Sequence, residues 1–110
     1  MNKKIEFKYE GEDYTLEYNR DAVKFMESEG LQIDEIKSKP LTMIEILWQG
    51  AFFKNHRKEK IDKIQKIYDS IGNKSELHNA LSEMFYETYS ILIGDNEDAD
   101  KSKNIDWKMS

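Results

Sequence analysis

Residues 40–53 read Pro-Leu-Thr-Met-Ile-Glu-Ile-Leu-Trp-Gln-Gly-Ala-Phe-Phe, the most apolar run of a chain in which 35% of the residues are charged. The run holds one charged residue, Glu45. It is too short to cross a bilayer and too apolar to lie in water, so it must be buried against the rest of the chain or against a partner. Because Pro40 suits a first helical turn, the sequence predicts a helix over residues 40–54.

The predicted helix is apolar on most of its sides. Helical spacing aligns one set of side chains: Leu41, Ile44, Leu47, Trp48, Ala51 and Phe52. Met43, Ile46 and Phe53 widen this face beyond the usual arc of about 100°. Such a helix lies at the centre of its domain or is shared with a partner. We expect the chain itself to cover one side of the helix and to leave Met43, Trp48 and Phe53 without cover.

The N-terminal residues alternate between apolar and polar on both sides of a short break at Gly11. Ile5, Phe7 and Tyr9 alternate with charged residues, and the period continues after the break through Tyr14, Leu16 and Tyr18. This period of two predicts a β-hairpin over about residues 4–18 with one buried face. A two-stranded hairpin is only marginally stable in water, so we expect helices to cover that face.

The rest of the chain predicts three more helices and a polar tail. The helices span about residues 20–29, 60–71 and 75–93, the first capped by Asn19 and the last by Asn73 or Ser75. In the helix over residues 60–71, the apolar positions are in register for packing: Ile61, Ile64, Ile67, Tyr68 and Ile71. The sequence thus predicts one α+β domain over residues 1–94, a hairpin followed by a bundle of about four helices. Residues 95–110 are polar and charged, and we expect them to form a mobile tail.

The composition excludes several classes of protein. The 110 residues contain 22 acids and 17 bases, a formal net charge of −5, which argues against a general nucleic-acid binder. There is no cysteine, so the sequence offers no disulfide, thiolate nucleophile or thiolate metal site. No signal peptide or membrane-spanning run is apparent, and we expect neither nucleic acid nor a membrane as a partner.

Local motifs for catalysis or metal binding are absent from the sequence. His56 and His78 do not form a helical metal-binding pair, and we expect ordinary surface or capping roles for both. A calcium loop starting at Asn96 fails at its sixth and twelfth positions, Lys101 and Trp107. No glycine-rich phosphate loop or nucleophile motif is present. We therefore expect a protein that is not an enzyme and has no cofactor or metal.

One local cluster departs from the acidic average. It consists of Lys54, Arg57, Lys58, Lys60, Lys63 and Lys66. The cluster is compatible with an acidic partner or, against the net charge, with nucleic acid. Glu59 and Asp62 interleave with it, which is also typical of a solvated helix face with ion pairs one turn apart.

The order of motifs resembles a family of small phage and prophage proteins from Gram-positive hosts. The function of these proteins is not established, and they group with the tail assembly chaperones of long-tailed phages. The matching segments are residues 5–11, 14–20, 26–27, Gly30, 39–43, 48–52, His56, 83–84 and 104–107. The Lys-Pro-Leu-Thr segment at 39–42 and the Gly-Ala-Phe segment at 50–52, in that order, are the more specific part.

The resemblance implies that this protein is a chaperone. It would coat the aggregation-prone tape-measure protein until tail-tube subunits polymerise around the tape-measure protein. The resemblance also implies the host cytoplasm as the location, and in related systems a ribosomal frameshift adds a second domain whose partner is the tail-tube protein. The surplus apolar and aromatic residues are the candidates for partner binding: Met43, Trp48, Phe53, Tyr86 and Trp107. An apolar central helix is equally compatible with a homo-oligomer. The excess of acids leaves one alternative, an acidic phage or prophage regulatory or inhibitory protein that binds a host protein.

Overall fold

The computed structural model describes residues 3–94, which begin with an antiparallel hairpin of β1 (Ile5–Tyr9) and β2 (Glu12–Leu16). The two residues between the strands, Glu10 and Gly11, have φ angles of 52° and 82°. Two consecutive left-handed residues are the mark of the tight turn whose twist matches a hairpin, and glycine adopts this conformation without steric cost. The turn sets a register in which Phe7 faces Tyr14, so both rings lie on the same side of the hairpin.

Four helices follow the hairpin, as the sequence predicts. They are α1 (Arg20–Ser28), α2 (Pro40–Ala51), α3 (Ile61–Ser70) and α4 (Lys74–Ile93), with a short 3₁₀ turn at Ile33–Glu35. The predicted fold class, a hairpin followed by about four helices, is therefore confirmed. The tail predicted over residues 95–110 lies outside the described residues.

Asparagine side chains cap two of the helices. The Asn19 carbonyl oxygen accepts a hydrogen bond from the Ala22 amide at 2.8 Å, and that of Asn73 accepts one from the Glu76 amide at 3.3 Å. The predicted cap at Asn19 is confirmed, and of the two alternatives for α4 the cap is Asn73 and not Ser75. Each cap stabilises its helix by about 1 kcal/mol, because it pairs an amide that has no partner within the helix.

Helix α2 is the centre of the fold and contacts α1, α3 and α4. The hairpin packs on its C-terminal half through aromatic pairs, with ring centroids 6.4 Å apart for Phe7 and Trp48 and 5.9 Å apart for Tyr14 and Phe52. The second strand and the four helices contribute buried residues to one core, and the half-buried apolar residues of β1 pack against it. Its buried residues are Tyr14, Leu16, Tyr18, Ala22, Val23, Met26, Leu31, Ile36, Met43, Ile44, Leu47, Trp48, Ala51, Phe52, Ile64, Ile67, Leu77, Leu81, Met84 and Phe85.

A glycine permits the close approach of α1 to α2. A Cβ atom at Gly50 would lie 2.3 Å from Cγ and Sδ of Met26, a side chain of α1 that is fully buried. Real Cβ atoms do not come this close to other atoms. The two helices therefore pack at a distance that only glycine allows at this position.

Helix α2 ends at Ala51, three residues before the predicted end at residue 54. The amides of Phe52 and Phe53 donate to carbonyls only three residues back, so the last turn tightens and the chain leaves the helix. The residues after it bind the hairpin instead. The Asn55 side-chain amide donates to the Thr15 carbonyl at 3.0 Å.

Candidate partner-binding surface

The structure encloses two of the five residues predicted to contact a partner. Met43 is 3% exposed and Trp48 is 2% exposed. The indole N–H of Trp48 donates to the Ile64 carbonyl at 2.9 Å, and its ring packs edge-on against Tyr68. The prediction that Met43 and Trp48 lack cover is therefore wrong, because α3 packs over Trp48 and α4 lies beside Met43.

Phe53 is half-buried just after the C-terminal end of α2, where its ring lies against the side chains of Phe25 and Arg57. Its ring is stacked against Phe25 of α1 at a centroid distance of 5.0 Å, and the Arg57 guanidinium lies over the ring at 4.2 Å. A cation over an aromatic face is attracted by the electron-rich ring. Phe53 is thus only partly covered by the chain, close to the basic cluster.

Tyr86 is half-buried on α4, where its ring meets that of Phe85 edge-on at 6.0 Å. It lies on the wall of a cleft between α2 and α4. Of the five predicted residues, Phe53 and Tyr86 retain exposed surface. The fifth, Trp107, lies outside the described residues.

Two residues that the sequence placed among the packed apolar positions are exposed instead. Leu41 in the first turn of α2 is 78% exposed, and Ile61 in the first turn of α3 is 65% exposed. The predicted packing of both is wrong. An apolar face wider than about 100° has two edges, and periodicity alone does not tell which edge the other helices reach.

A cleft of about 470 Å³ separates the N-terminal half of α2 from α4. Its apolar side is formed by Met43, Ile44 and Leu47, and its polar side by Ser75, Asn79 and Ser82. This volume accommodates several side chains of a ligand or a protein segment. A mixed apolar and hydroxyl lining supplies both contact area and hydrogen bonds.

A second cleft of about 260 Å³ lies on the other side of the same half-helix, against α3. It is lined by residues of both helices, among them Leu41, Glu45 and Gln65. Ile44 borders both clefts. We call the surface formed by Leu41, Ile44 and the two clefts the double cleft.

A hydrogen bond connects the outer walls of the double cleft. The Tyr68 hydroxyl on α3 and Nε2 of His78 on α4 are 3.1 Å apart. The ammonium of Lys74 lies 5.1 Å from the centroid of the Tyr68 ring. Tyr68 lines one cleft and His78 the other, so this pair fixes the two walls relative to each other. The sequence offered no signal for this pairing across ten residues.

The second histidine holds the α2–α3 connection against the hairpin. Nε2 of His56 accepts a hydrogen bond from the Thr15 amide at 3.1 Å, and its ring lies 4.8 Å from that of Tyr14. Sequence reasoning assigned His56 an ordinary surface or capping role and missed this contact. A lone histidine after an apolar helix carries no signal for a strand residue 41 positions earlier.

A polar network connects the hairpin to α3. The Tyr14 hydroxyl donates to the Glu59 carboxylate at 3.1 Å, and the Lys63 ammonium contacts the carboxylates of Glu12 at 2.8 Å and Glu59 at 3.2 Å. Burial raises the pKa of the Tyr14 hydroxyl, and the hydrogen bonds of Lys63, first to Glu12, raise the pKa of its ammonium. Both groups therefore keep their ordinary protonation at neutral pH, and the network stabilises the fold.

Among residues 3–94, no group of three or more histidine, cysteine, aspartate or glutamate residues is placed to hold a metal ion. In the same range no helix has both the length and the apolar character that crossing a membrane requires. The features of the described structure that can accommodate a ligand are clefts between its elements. Besides those between helices, two clefts of about 420 Å³ each lie where β1 meets α4.

The fold and the clefts define the chain as a small α+β domain with surfaces suited to binding. A family model described as a domain of unknown function, DUF5055, matches residues 1–110. The chain therefore belongs to the DUF5055 family. No curated protein and no solved structure matches the chain.

Proposed function

We propose that this protein is a non-enzymatic tail assembly chaperone of a phage or prophage and that the double cleft holds a segment of the tape-measure protein. The observation that carries the proposal is the exposure of Leu41, 78%, at the smaller cleft and one turn before Ile44, which borders both clefts. The motif order from the hairpin to residue 107 supports the class of protein.

The double cleft suits a helical segment with large apolar side chains. Leu41 protrudes at the smaller cleft, and Ile44 borders both clefts, so side chains of a bound helix spaced three or four residues apart enter a cleft on either side of Ile44. Met43 is only 3% exposed in the wall of the larger cleft, and its flexible thioether lets that wall rearrange when a ligand enters. A chaperone for a long protein must accept many different segments, which favours such an adaptable surface.

Polar groups at the rims of the clefts define the orientation of a bound segment. Glu45 and Gln65 line the smaller cleft, and Ser75 and Asn79 line the larger one. These side chains offer hydrogen bonds to polar groups of the bound segment. The charged surface elsewhere, with a net charge of −5, keeps the protein soluble while it holds an aggregation-prone partner in the host cytoplasm.

Co-expression with the tape-measure protein of the same phage or prophage tests the proposal. We expect the tape-measure protein to be insoluble alone, and to become soluble and co-purify with this chain. The control is co-expression with an unrelated small acidic domain, which we expect to leave the tape-measure protein insoluble. Absence of both co-purification and increased solubility would contradict the proposal.

A further inference from the structure

The connection between α2 and α3 and the start of α3 carry a charge opposite to that of the rest of the chain. Residues 54–66 contain six bases and two acids, whereas the other residues contain eleven bases and twenty acids. Two of the six bases are engaged: Lys54 pairs with Glu17, and Lys63 pairs with Glu12 of the hairpin and with Glu59 just before α3. The other four are exposed, and no carboxylate of residues 3–94 forms an ion pair with them: Arg57, Lys58, Lys60 and Lys66.

Arg57 lines an apolar cleft at the C-terminal end of α2, and Lys58 and Lys60 are chain neighbours of its lining residues Arg57, Glu59 and Ile61. The cleft has a volume of about 290 Å³, and its apolar lining includes Phe53, Ile61 and Ile64. Ile61 is 65% exposed at this place, although it begins a helix whose other isoleucines at 64 and 67 are buried. An exposed isoleucine beside a half-buried phenylalanine adds apolar surface that water disfavours.

We propose that this surface, the basic cleft formed by Phe53, Arg57, Lys58, Lys60 and Ile61, binds an acidic segment of a partner protein. One large apolar side chain of the segment enters between Phe53 and Ile61. Carboxylates before and after it pair with the bases at the rim. The guanidinium of Arg57, already fixed over the Phe53 ring, forms paired hydrogen bonds with a carboxylate without further ordering.

The composition of the basic cleft favours an acidic protein segment over a nucleic acid. Single-stranded nucleic acid binds through bases stacked on aromatic rings. The Phe53 ring already packs against Phe25 and has the Arg57 guanidinium over it, which reduces the ring area open to a base. The apolar lining of the cleft, with Ile61 65% exposed, suits an aliphatic side chain of a protein segment.

The basic cleft and the double cleft lie at opposite ends of α2, so this inference does not rest on the proposed function. A 12-residue helix separates its ends by about 18 Å. If the tape-measure protein does not bind, the proposal for the basic cleft still stands. If the acidic peptide does not bind, the proposal for the double cleft still stands. The two surfaces are tested with separate probes and separate variants.

The probe is a fluorescein-labelled peptide of three repeats of Glu-Glu-Leu-Glu-Glu, titrated with the full-length chain and followed by fluorescence anisotropy. We expect saturable binding that weakens as salt is added, because exposed charges are screened. A peptide with serine in place of leucine and a peptide with lysine in place of glutamate are the matched controls. We expect the serine peptide to bind at least about fivefold more weakly and the lysine peptide not to bind.

Variants assign the binding to the basic cleft. We expect the double substitution Lys58→Glu and Lys60→Glu to weaken binding of the leucine peptide by about tenfold or more. The control double substitution Lys8→Glu and Lys24→Glu makes the same change of net charge at exposed sites on β1 and α1, and we expect at most about a twofold change by screening. Ile61→Ser should weaken binding of the leucine peptide and leave that of the serine peptide unchanged.

Three results would overturn the inference. One is the absence of saturable binding. The second is an equal loss of affinity in the two charge-reversal pairs, which would show a response to net charge alone. The third is binding of single-stranded RNA or of vesicles with anionic lipids that is as tight as binding of the leucine peptide and is lost in the Lys58→Glu, Lys60→Glu variant.

Discussion

The two halves of α2 have similar apolar composition and different surroundings. In the C-terminal half, Trp48, Ala51 and Phe52 are at most 2% exposed, because the hairpin and the neighbouring helices surround them. In the N-terminal half, Leu41 is 78% exposed and Ile44 borders two clefts. The apolar composition of a helix therefore does not show by itself which part of the helix forms a binding surface. The elements that the rest of the chain packs against it decide which part stays available.

The largest effect on stability is expected at the enclosed half. Trp48→Ala removes the indole from three aromatic contacts and leaves the Ile64 carbonyl without its donor. We expect a loss of about 3–5 kcal/mol in the free energy of unfolding, measured by urea denaturation. Leu41→Ala in the N-terminal half of α2 is the control and should change the free energy of unfolding by at most about 0.5 kcal/mol. Equal losses in the two variants would remove the distinction between the halves.

Gly50→Ala tests the close packing of the enclosed half against α1. Alanine favours the helix by about 1 kcal/mol, but its Cβ would lie 2.3 Å from Cγ and Sδ of the fully buried Met26, which would have to shift within the core. Overpacking costs about 1–3 kcal/mol, so we expect a net loss of stability. Gly72→Ala is the matched control, because a Cβ there meets no atom within 4 Å. A stabilised Gly50→Ala variant would show that the helices are not in tight contact.

A smaller effect is expected where the hairpin end is joined to the middle of α2. The Tyr18 hydroxyl donates to the Leu47 carbonyl at 2.6 Å, and burial raises its pKa well above the ordinary value, so the donor proton is retained. We expect Tyr18→Phe to cost about 1 kcal/mol in thermal or urea unfolding. Tyr9→Phe is the control, since the Tyr9 hydroxyl makes no hydrogen bond within residues 3–94. If Tyr18→Phe leaves the free energy of unfolding unchanged, this hydrogen bond does not have the structural role assigned to it.

The smallest of these effects concerns the ion pair between Glu17 and Lys54, just beyond the enclosed half. The hydrogen bond from Lys54 lowers the pKa of Glu17 below its ordinary value of 4.5. A lowered folded-state pKa means that the pair stabilises the protein above the ordinary pKa and that this stabilisation disappears as the pH falls through the folded-state pKa. Both side chains are partly exposed, which limits the contribution to about 0.2–1 kcal/mol.

The measurement is the difference in unfolding free energy between the wild type and Glu17→Gln. We expect the difference to be constant near neutral pH and to shrink towards zero as the pH is lowered to about 3. A difference that is independent of pH would contradict the role assigned to the pair.

The sequence predicts the fold well, because the fold depends on local patterns. The alternation from Ile5 to Tyr18, the cap at Asn19 and the proline at position 40 each define an element through its immediate neighbours. The prediction of the binding residues was less successful. Trp48 is a large amphipathic side chain of the kind found at interfaces, yet it is enclosed because α3 packs over it and its indole N–H meets the Ile64 carbonyl.

The contacts that periodicity misses are long-range. His56 with Thr15 and His78 with Tyr68 join residues whose proximity depends on the packing of whole elements. The exposure of Leu41 has the same origin, since it depends on how far α3 and α4 extend along α2. Local pattern specifies which residues are apolar, and only the tertiary arrangement specifies which of them remain accessible.

The most direct test of the double cleft compares two exposed apolar residues at the opposite ends of α2. The measurement is the affinity of purified variants for a soluble fragment of the tape-measure protein, determined by isothermal titration calorimetry. We expect Leu41→Asp to weaken binding by about tenfold or more, because the bound segment would desolvate a carboxylate at the smaller cleft. Ile61→Asp, at the basic cleft, should leave the affinity unchanged. Unchanged binding by a folded Leu41→Asp variant would contradict the account.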